Sequence, residues 1–166
     1  MTSRERFLAG LCGKPADRPP VAHIAAATTV GLQADTGCFM PDVHHNPERL
    51  VRLMAANHDV LGFDAVTFLI NFFNEPAALG AAMDWGGPET LPAYRSHPWE
   101  TAEDIEIPAD FLEQPHLRTC LETLTLAKRE CGAAMGVMGK VMGPLSFVQV
   151  MHGVDVTLTG LLTAPG

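Results

Sequence analysis

A chain of 166 residues is long enough for one domain with a buried core. Hydrophobic residues make up 47% and charged residues 18%, which excludes a disordered chain, and no apolar run reaches the length of a membrane span. The net charge is −8, with 11 basic residues scattered singly against 19 acidic ones, so no nucleic acid is expected as a partner.

The opening residues, MTSRERFLAG, carry charges but no apolar signal core, and the cytoplasm is the expected location. Thr2 or Ser3 can cap a helix over Arg4 to Leu11, with Glu5 in its first turn and Gly13 beyond its end. After a linker with Pro15, Pro19 and Pro20, the run Val21 to Ala27 reads as a buried strand interrupted by His23. Thr28 to Asn46 shows no helical period and reads as a long, substrate-covering loop. Asn46, Pro47 and Glu48 then start a helix with Leu50, Leu53, Met54 and Leu61 on one face and Gly62 closing it.

Ala65 to Ile70 is the second strand, and Glu75 to Leu79 a short helix after it. Ala81 to Arg95, with Trp85, Gly86, Gly87, Pro88 and Pro92, reads as a hairpin excursion. The acidic run Glu100, Glu103, Asp104 and Glu106 reads as a solvated face. A third long helix buries Leu117, Leu121 and Leu124 and stops at Gly132. The apolar run from Gly132, broken by Lys140 and ended by Gly143 and Pro144, is the third strand. Leu145 to Leu162 forms one or two helices broken near Gly153. Cys12, Cys38, Cys120 and Cys131 form no C-x-x-C pair and are expected as free thiols, the last two as core contacts.

Three β/α units in strict alternation mean an α/β fold with a parallel sheet. Three strands do not close a barrel, which needs eight. The expectation is either a small open sheet or part of a larger structure.

The segments TSRERFLAGLCGKPADRPPVAHI, TGCFMPDVHHNPERL, AANHDVLGFDAVTF, NEPAALGAAMDWGGPETLPAYRSHP, EDIEIPADFLE and GKVMGPLSF make the chain resemble the uroporphyrinogen decarboxylase superfamily. Within it, the chain is most similar to the methylcobamide:coenzyme M branch of corrinoid-dependent methyltransferases. The resemblance implies the N-terminal portion of a TIM (β/α)8 barrel, with residues 1–166 as one incomplete barrel domain. It implies methyl transfer from a methylated cobamide to a thiol such as coenzyme M, with a corrinoid or corrinoid protein and a small thiol acceptor as partners.

Similar enzymes bind zinc through a His-x-Cys pair and a later Cys in the second half of the barrel, where the metal makes the acceptor thiol a thiolate. No cysteine here sits in such a motif, so zinc ligands are not expected among these residues, and the isolated chain is not expected to be competent alone. Self-association or pairing with a separately encoded second half is expected, because an open sheet leaves an unpaired edge.

The decarboxylase itself carries arginines in the loop that aligns with Thr28 to Asn46, where they hold porphyrinogen carboxylates. The positions that line up here are Ala34 and Cys38, and the whole loop has no Arg or Lys. A substrate with eight carboxylates needs cationic partners, so decarboxylation is disfavoured on charge grounds. A non-catalytic corrinoid-binding role is the third alternative.

The resemblance nominates His44, Glu75 and Asn71 as binding residues, and their place in apolar strands adds Lys140 and His23. His44 matches a Pro-acidic-x-His motif and either lines the barrel mouth or simply leads into the helix capped by Asn46. Glu75 either faces the ligand after strand two or stabilises its helix dipole; Ala77 stands where relatives often carry a second acid. Asn71 stands where the decarboxylase has its catalytic carboxylate, and either binds ligand or caps the turn. Lys140 pairs with a carboxylate such as Glu75, reaches a ligand phosphate or sulfonate, or stays in solvent. His23 is read first as a core histidine and second as a barrel-facing one.

Overall fold

In a computed structural model, the protein is described over residues 1–24, 28–68 and 73–163. The first helix, α1 (Ser3–Leu11), is fixed by a reciprocal cap: Glu5 N–H donates to Thr2 Oγ1 at 3.1 Å, and Thr2 N–H donates to Glu5 Oε2 at 2.8 Å. There follow β1 (Ala22–His23), α2 (Val30–Thr36), α3 (Pro47–Asp59), β2 (Ala65–Thr67) and α4 (Asn74–Ala78). A hairpin of β3 (Met83–Asp84) and β4 (Ala93–Tyr94) leads to α5 (Pro115–Cys131), β5 (Gly136–Met138), α6 (Pro144–His152) and α7 (Val154–Thr163). The break between the last two helices falls at Gly153, whose φ of 95° ends α6.

β1, β2 and β5 form one parallel sheet in chain order, with Ala65 opposite Ala22 and Gly136, and Thr67 opposite Met138. That order has no reversal of the kind that defines a doubly wound sheet, and it is the order of consecutive barrel staves. β3 and β4 pair antiparallel in a separate ribbon, as the glycine- and proline-rich stretch predicts. Val66 and Phe68 sit in the main core with Leu32, Val43, Leu50, Leu53 and Met54. Alternation therefore turns Ala65 and Thr67 to the opposite face. On that face a Cβ at Gly136 would meet Phe7 Cδ1 at 2.5 Å and Ala65 Cβ at 2.7 Å, so only glycine lets α1 lie across the base of the sheet.

An ionic node holds the same end. Asp64, fully buried, accepts from Arg6 Nη1 at 2.5 Å, Arg18 Nη1 at 2.7 Å and the Val21 N–H at 2.9 Å. Arg6 also forks onto Asp17 at 2.7 and 2.8 Å. Burial alone would raise the Asp64 pKa, but these donors win and bring it down to about 2.

The structure departs from the sequence reading at several points. Thr28 to Asn46 is not wholly irregular: Thr29 Oγ1 accepts from Leu32 N–H at 3.2 Å and opens α2, and Gly37 at φ 67° closes it. Leu61 lies beyond the end of α3 and is 46% exposed. Leu121 is 48% exposed because α5 buries Leu117, Thr123, Ala127 and Cys131, a face centred about 100° round the helix from it. The third strand starts at Gly136 rather than Gly132, since Gly132 N–H still bonds back to Lys128, and Ala134 and Met135 N–H to Cys131. Lys140 therefore sits two residues past the strand, not inside it. The described part of strand one, Ala22 and His23, is exposed rather than buried, because among the described residues β1 has a neighbour on one side only.

Candidate functional site

Parallel strands deliver their following loops to one end of the sheet, the end where barrel enzymes gather their polar groups. After β1 come α2 and then a 3₁₀ turn, Asp42–His44, that ends against the Asn46 cap of α3, where Asn46 Oδ1 accepts from Arg49 N–H at 3.0 Å. After β2 come α4 and the hairpin. After β5 comes the segment with Lys140.

The turn after β1 and the hairpin after β2 meet in a cluster of imidazoles around one indole. Trp85 is carried by the hairpin, and its ring centroid lies 5.4 Å from His44, 4.6 Å from His45 and 5.3 Å from His116. His116 comes from the first turn of α5 and stacks on the indole at 28°. His44 is 3% exposed, and burial, with the neighbouring His45 charge second, lowers its pKa to about 4. Burial also lowers His45, opposed by Asp42, and His116, reinforced by His45. At neutral pH the cluster is uncharged.

Asn74 links this cluster to a cavity. Its Nδ2 donates to the His116 carbonyl at 3.2 Å and to Cys120 Sγ at 2.8 Å. The cavity, about 490 Å³, is bounded by Asn74, Glu75, Cys120 and Lys140 and by apolar side chains including Leu117 and Leu124. Glu75 lies in the first turn of α4, and its Oε2 accepts the Met142 N–H at 3.1 Å. Its charge is felt on both sides: burial first and Glu75 second push the Tyr94 hydroxyl up to about 12. The Cys120 thiol is raised by burial and by Glu75, against the lowering effect of Asn74. Burial lowers the Lys140 pKa.

Of the residues nominated from sequence, Glu75 and Lys140 are brought to one cavity. The Glu75 hydrogen bond goes to the Met142 backbone. His44 lies in the neighbouring cluster, buried, and Asn71 falls outside the described residues. His23 is brought to neither: it is exposed and stacks on Phe63 with centroids 6.1 Å apart and planes within 4°, on the face that Val66 shares. Trp85, His116, Cys120 and Asn74 were not foreseen. Among the described residues no group of three His, Cys, Asp or Glu side chains is placed to hold a metal ion. All four cysteines are free thiols, as expected.

A wall of consecutive parallel strands, each followed by helix, is part of a (β/α)8 barrel. The chain belongs to the uroporphyrinogen decarboxylase (URO-D) family, whose sequence profile matches residues 2–165. It is 28% identical over 148 residues to the methylcobamide:CoM methyltransferase MtaA of Methanosarcina barkeri, covering 87% of this chain and 43% of that protein. It is 27% identical over 153 residues to the methylcobamide:CoM methyltransferase MtbA of Methanosarcina mazei, covering 92% of this chain and 45% of that one. A solved methyltransferase from Methanosarcina mazei superposes with a TM-score of 0.91 at 26% identity, over 99% of this chain and 49% of its own. The chain thus spans less than half the length of these curated relatives.

Proposed function

We propose that the chain supplies the first three β/α units of a barrel that moves a methyl group from a methylated cobamide to a small thiol such as coenzyme M. The observation that carries this reading is the similarity, over 87% of the chain, to a protein named for that reaction. A bound methylated cobamide would supply the methyl group, and the acceptor sulfur must reach it as a thiolate. Lys140 beside Glu75 offers a cation on the rim for an anionic head on the acceptor, and the neutral His44, His45, Trp85 and His116 rings give a flat wall nearby. His23 and Asn71 belong to the same proposal as binding residues, though His23 faces away from the cavity in this chain.

The described residues do not form a seat for the thiol-activating zinc that the family implies. Cys120 is a poor substitute nucleophile, because burial keeps its thiol protonated. Decarboxylation of a porphyrinogen is disfavoured by the loop of residues 28–46, which has no cation to offer.

The test is spectroscopic. The chain, combined with the barrel segments of a relative, is mixed with methylcobalamin, zinc and coenzyme M, and the corrinoid absorbance is followed. Thiol-dependent loss of the methylcobalamin spectrum is expected, and Lys140→Ala should raise the KM for the thiol. Turnover of uroporphyrinogen with no corrinoid present would sink the reading.

A further inference from the structure

Gln33 lies in α2 with no solvent exposure, and an amide so placed must find its partners inside the protein. It finds them at three places in the chain. Its Nε2 donates to the Thr28 carbonyl at 3.3 Å and to the Pro88 carbonyl at 2.9 Å, and its Oε1 accepts the Met40 N–H at 3.0 Å. Both amide hydrogens and a carbonyl lone pair are thus taken up by backbone groups, the farthest of them 55 residues away.

Two of those places carry rings of the imidazole–indole cluster. Met40 leads into the turn of His44 and His45, where the Val43 N–H bonds back to the Phe39 carbonyl at 3.2 Å and the His44 N–H to the Pro41 carbonyl at 2.9 Å. Pro88 sits in the tip of the hairpin that carries Trp85, and that tip is stiff. Gly86 N–H donates to Asp84 Oδ1 at 3.1 Å, and Gly87 N–H to Thr90 Oγ1 at 2.8 Å. A Cβ on Gly86 would meet the Thr90 carbonyl oxygen at 2.6 Å, so the two arms of the tip are already in contact. A position imposed at Pro88 is therefore passed on to Trp85.

We infer that Gln33 is a positioning residue: one buried amide that sets the Trp85 hairpin against the His44–His45 turn and so builds the ring wall near the Glu75–Lys140 cavity. Its hydrogen bonds all go to backbone, so it acts on the rings through the chain that holds them. Supporting side chains of this kind keep a site close to its working geometry, because a loop left to itself samples many positions. Among the described residues, the titratable groups facing the indole are His44, His45 and His116. Asp42 acts on His45 and is itself held by Arg49 at 3.0 Å. The bearing of this wall on methyl transfer rests on the function proposed above; the positioning does not.

The test follows indole emission in a Trp99→Phe background, which leaves Trp85 as the single tryptophan. A protonated imidazole quenches an indole in contact with it. Trp85 emission should therefore fall on acidification, with a midpoint below the ordinary 6.5 because burial lowers His45 and His116. Gln33→Met keeps the bulk of the side chain and removes its hydrogen bonds. It should lose about half or more of the quenching amplitude and move the midpoint toward 6.5. Leu32→Ala, on the same helix and in the main core, is the control: it should lower the melting temperature and leave the emission profile unchanged. In the unaltered chain the Met40 N–H should exchange slowly with deuterium, a measurement that needs no variant. A Gln33→Met profile that coincides with its parent, a Leu32→Ala profile that moves as far, or fast exchange at Met40 would each overturn the inference. When the chain is joined to the barrel segments of a relative, Gln33→Met should raise the KM for methylcobalamin severalfold with kcat little changed. If neither parent nor variant turns over, the proposed reaction falls, while the emission profiles still decide the positioning.

Discussion

A carboxylate with no solvent exposure is costly unless its oxygens are occupied, and at Asp64 two guanidinium groups and a backbone N–H occupy them. Asp64→Ala leaves Arg6 paired with Asp17 but stripped of its buried partner, and should cost about 3 kcal/mol, read from chemical denaturation. The pKa in the folded chain is about 2, below the ordinary 3.8, so the unfolded chain binds the proton more readily. The stabilisation is complete above about pH 4 and is lost as pH falls toward 2. Glu75 has a simpler reporter, because Tyr94 is the single tyrosine of the chain. Alkaline difference absorbance should show it ionising near 12, and Glu75→Gln should bring that value down by removing the nearby negative charge. An unchanged titration would mean that Glu75 does not face Tyr94 across the loop.

At the scale of elements, legibility followed local chemistry. Asn46-Pro47-Glu48 announces α3, and Gly153 marks the break between α6 and α7, because caps and glycines act within a few residues. α2 escaped because seven residues with only Val30, Leu32 and Ala34 apolar give no periodic stripe; Thr29 before them and Gly37 after them were the signals that could have found it. The rim was legible in part. Glu75 and Lys140 stood out as charges beside apolar runs. Trp85, His116 and Cys120 did not, since their meeting depends on a hairpin folding back over α5 from about 30 residues earlier. The contact of α1 with the sheet base was likewise invisible, although Gly136 marks it. Gly136→Ala puts a methyl group into Phe7 and Ala65 and should destabilise by about 1–3 kcal/mol, with a lower melting temperature and no change in the denaturant slope.

At the scale of the whole molecule, the imidazole–indole cluster ties together the turn after β1, the hairpin after β2 and the start of α5. Its pH response is set by burial. His44 has a folded pKa of about 4 against an ordinary 6.5, so the unfolded chain takes up the proton first as the medium is acidified. Stability from this source is intact above about pH 6.5 and declines as pH falls to 4, a window separate from that of Asp64. Thermal melts across pH 4 to 7 should show the decline, and His44→Phe should flatten it; a wild-type melting temperature constant over this range would contradict the burial assigned to the ring. Among the described residues no single helix is long and apolar enough to cross a membrane.

The node at Asp64 carries one more consequence. Both of its counter-charges, Arg6 and Arg18, come from the stretch ahead of the first strand. Deleting that leader, ordinarily the mildest edit a protein engineer makes, would take both guanidinium groups from a buried anion and leave it the Val21 nitrogen. A chain begun at Pro19 should therefore misbehave like a core mutant, and affinity handles belong at the other terminus.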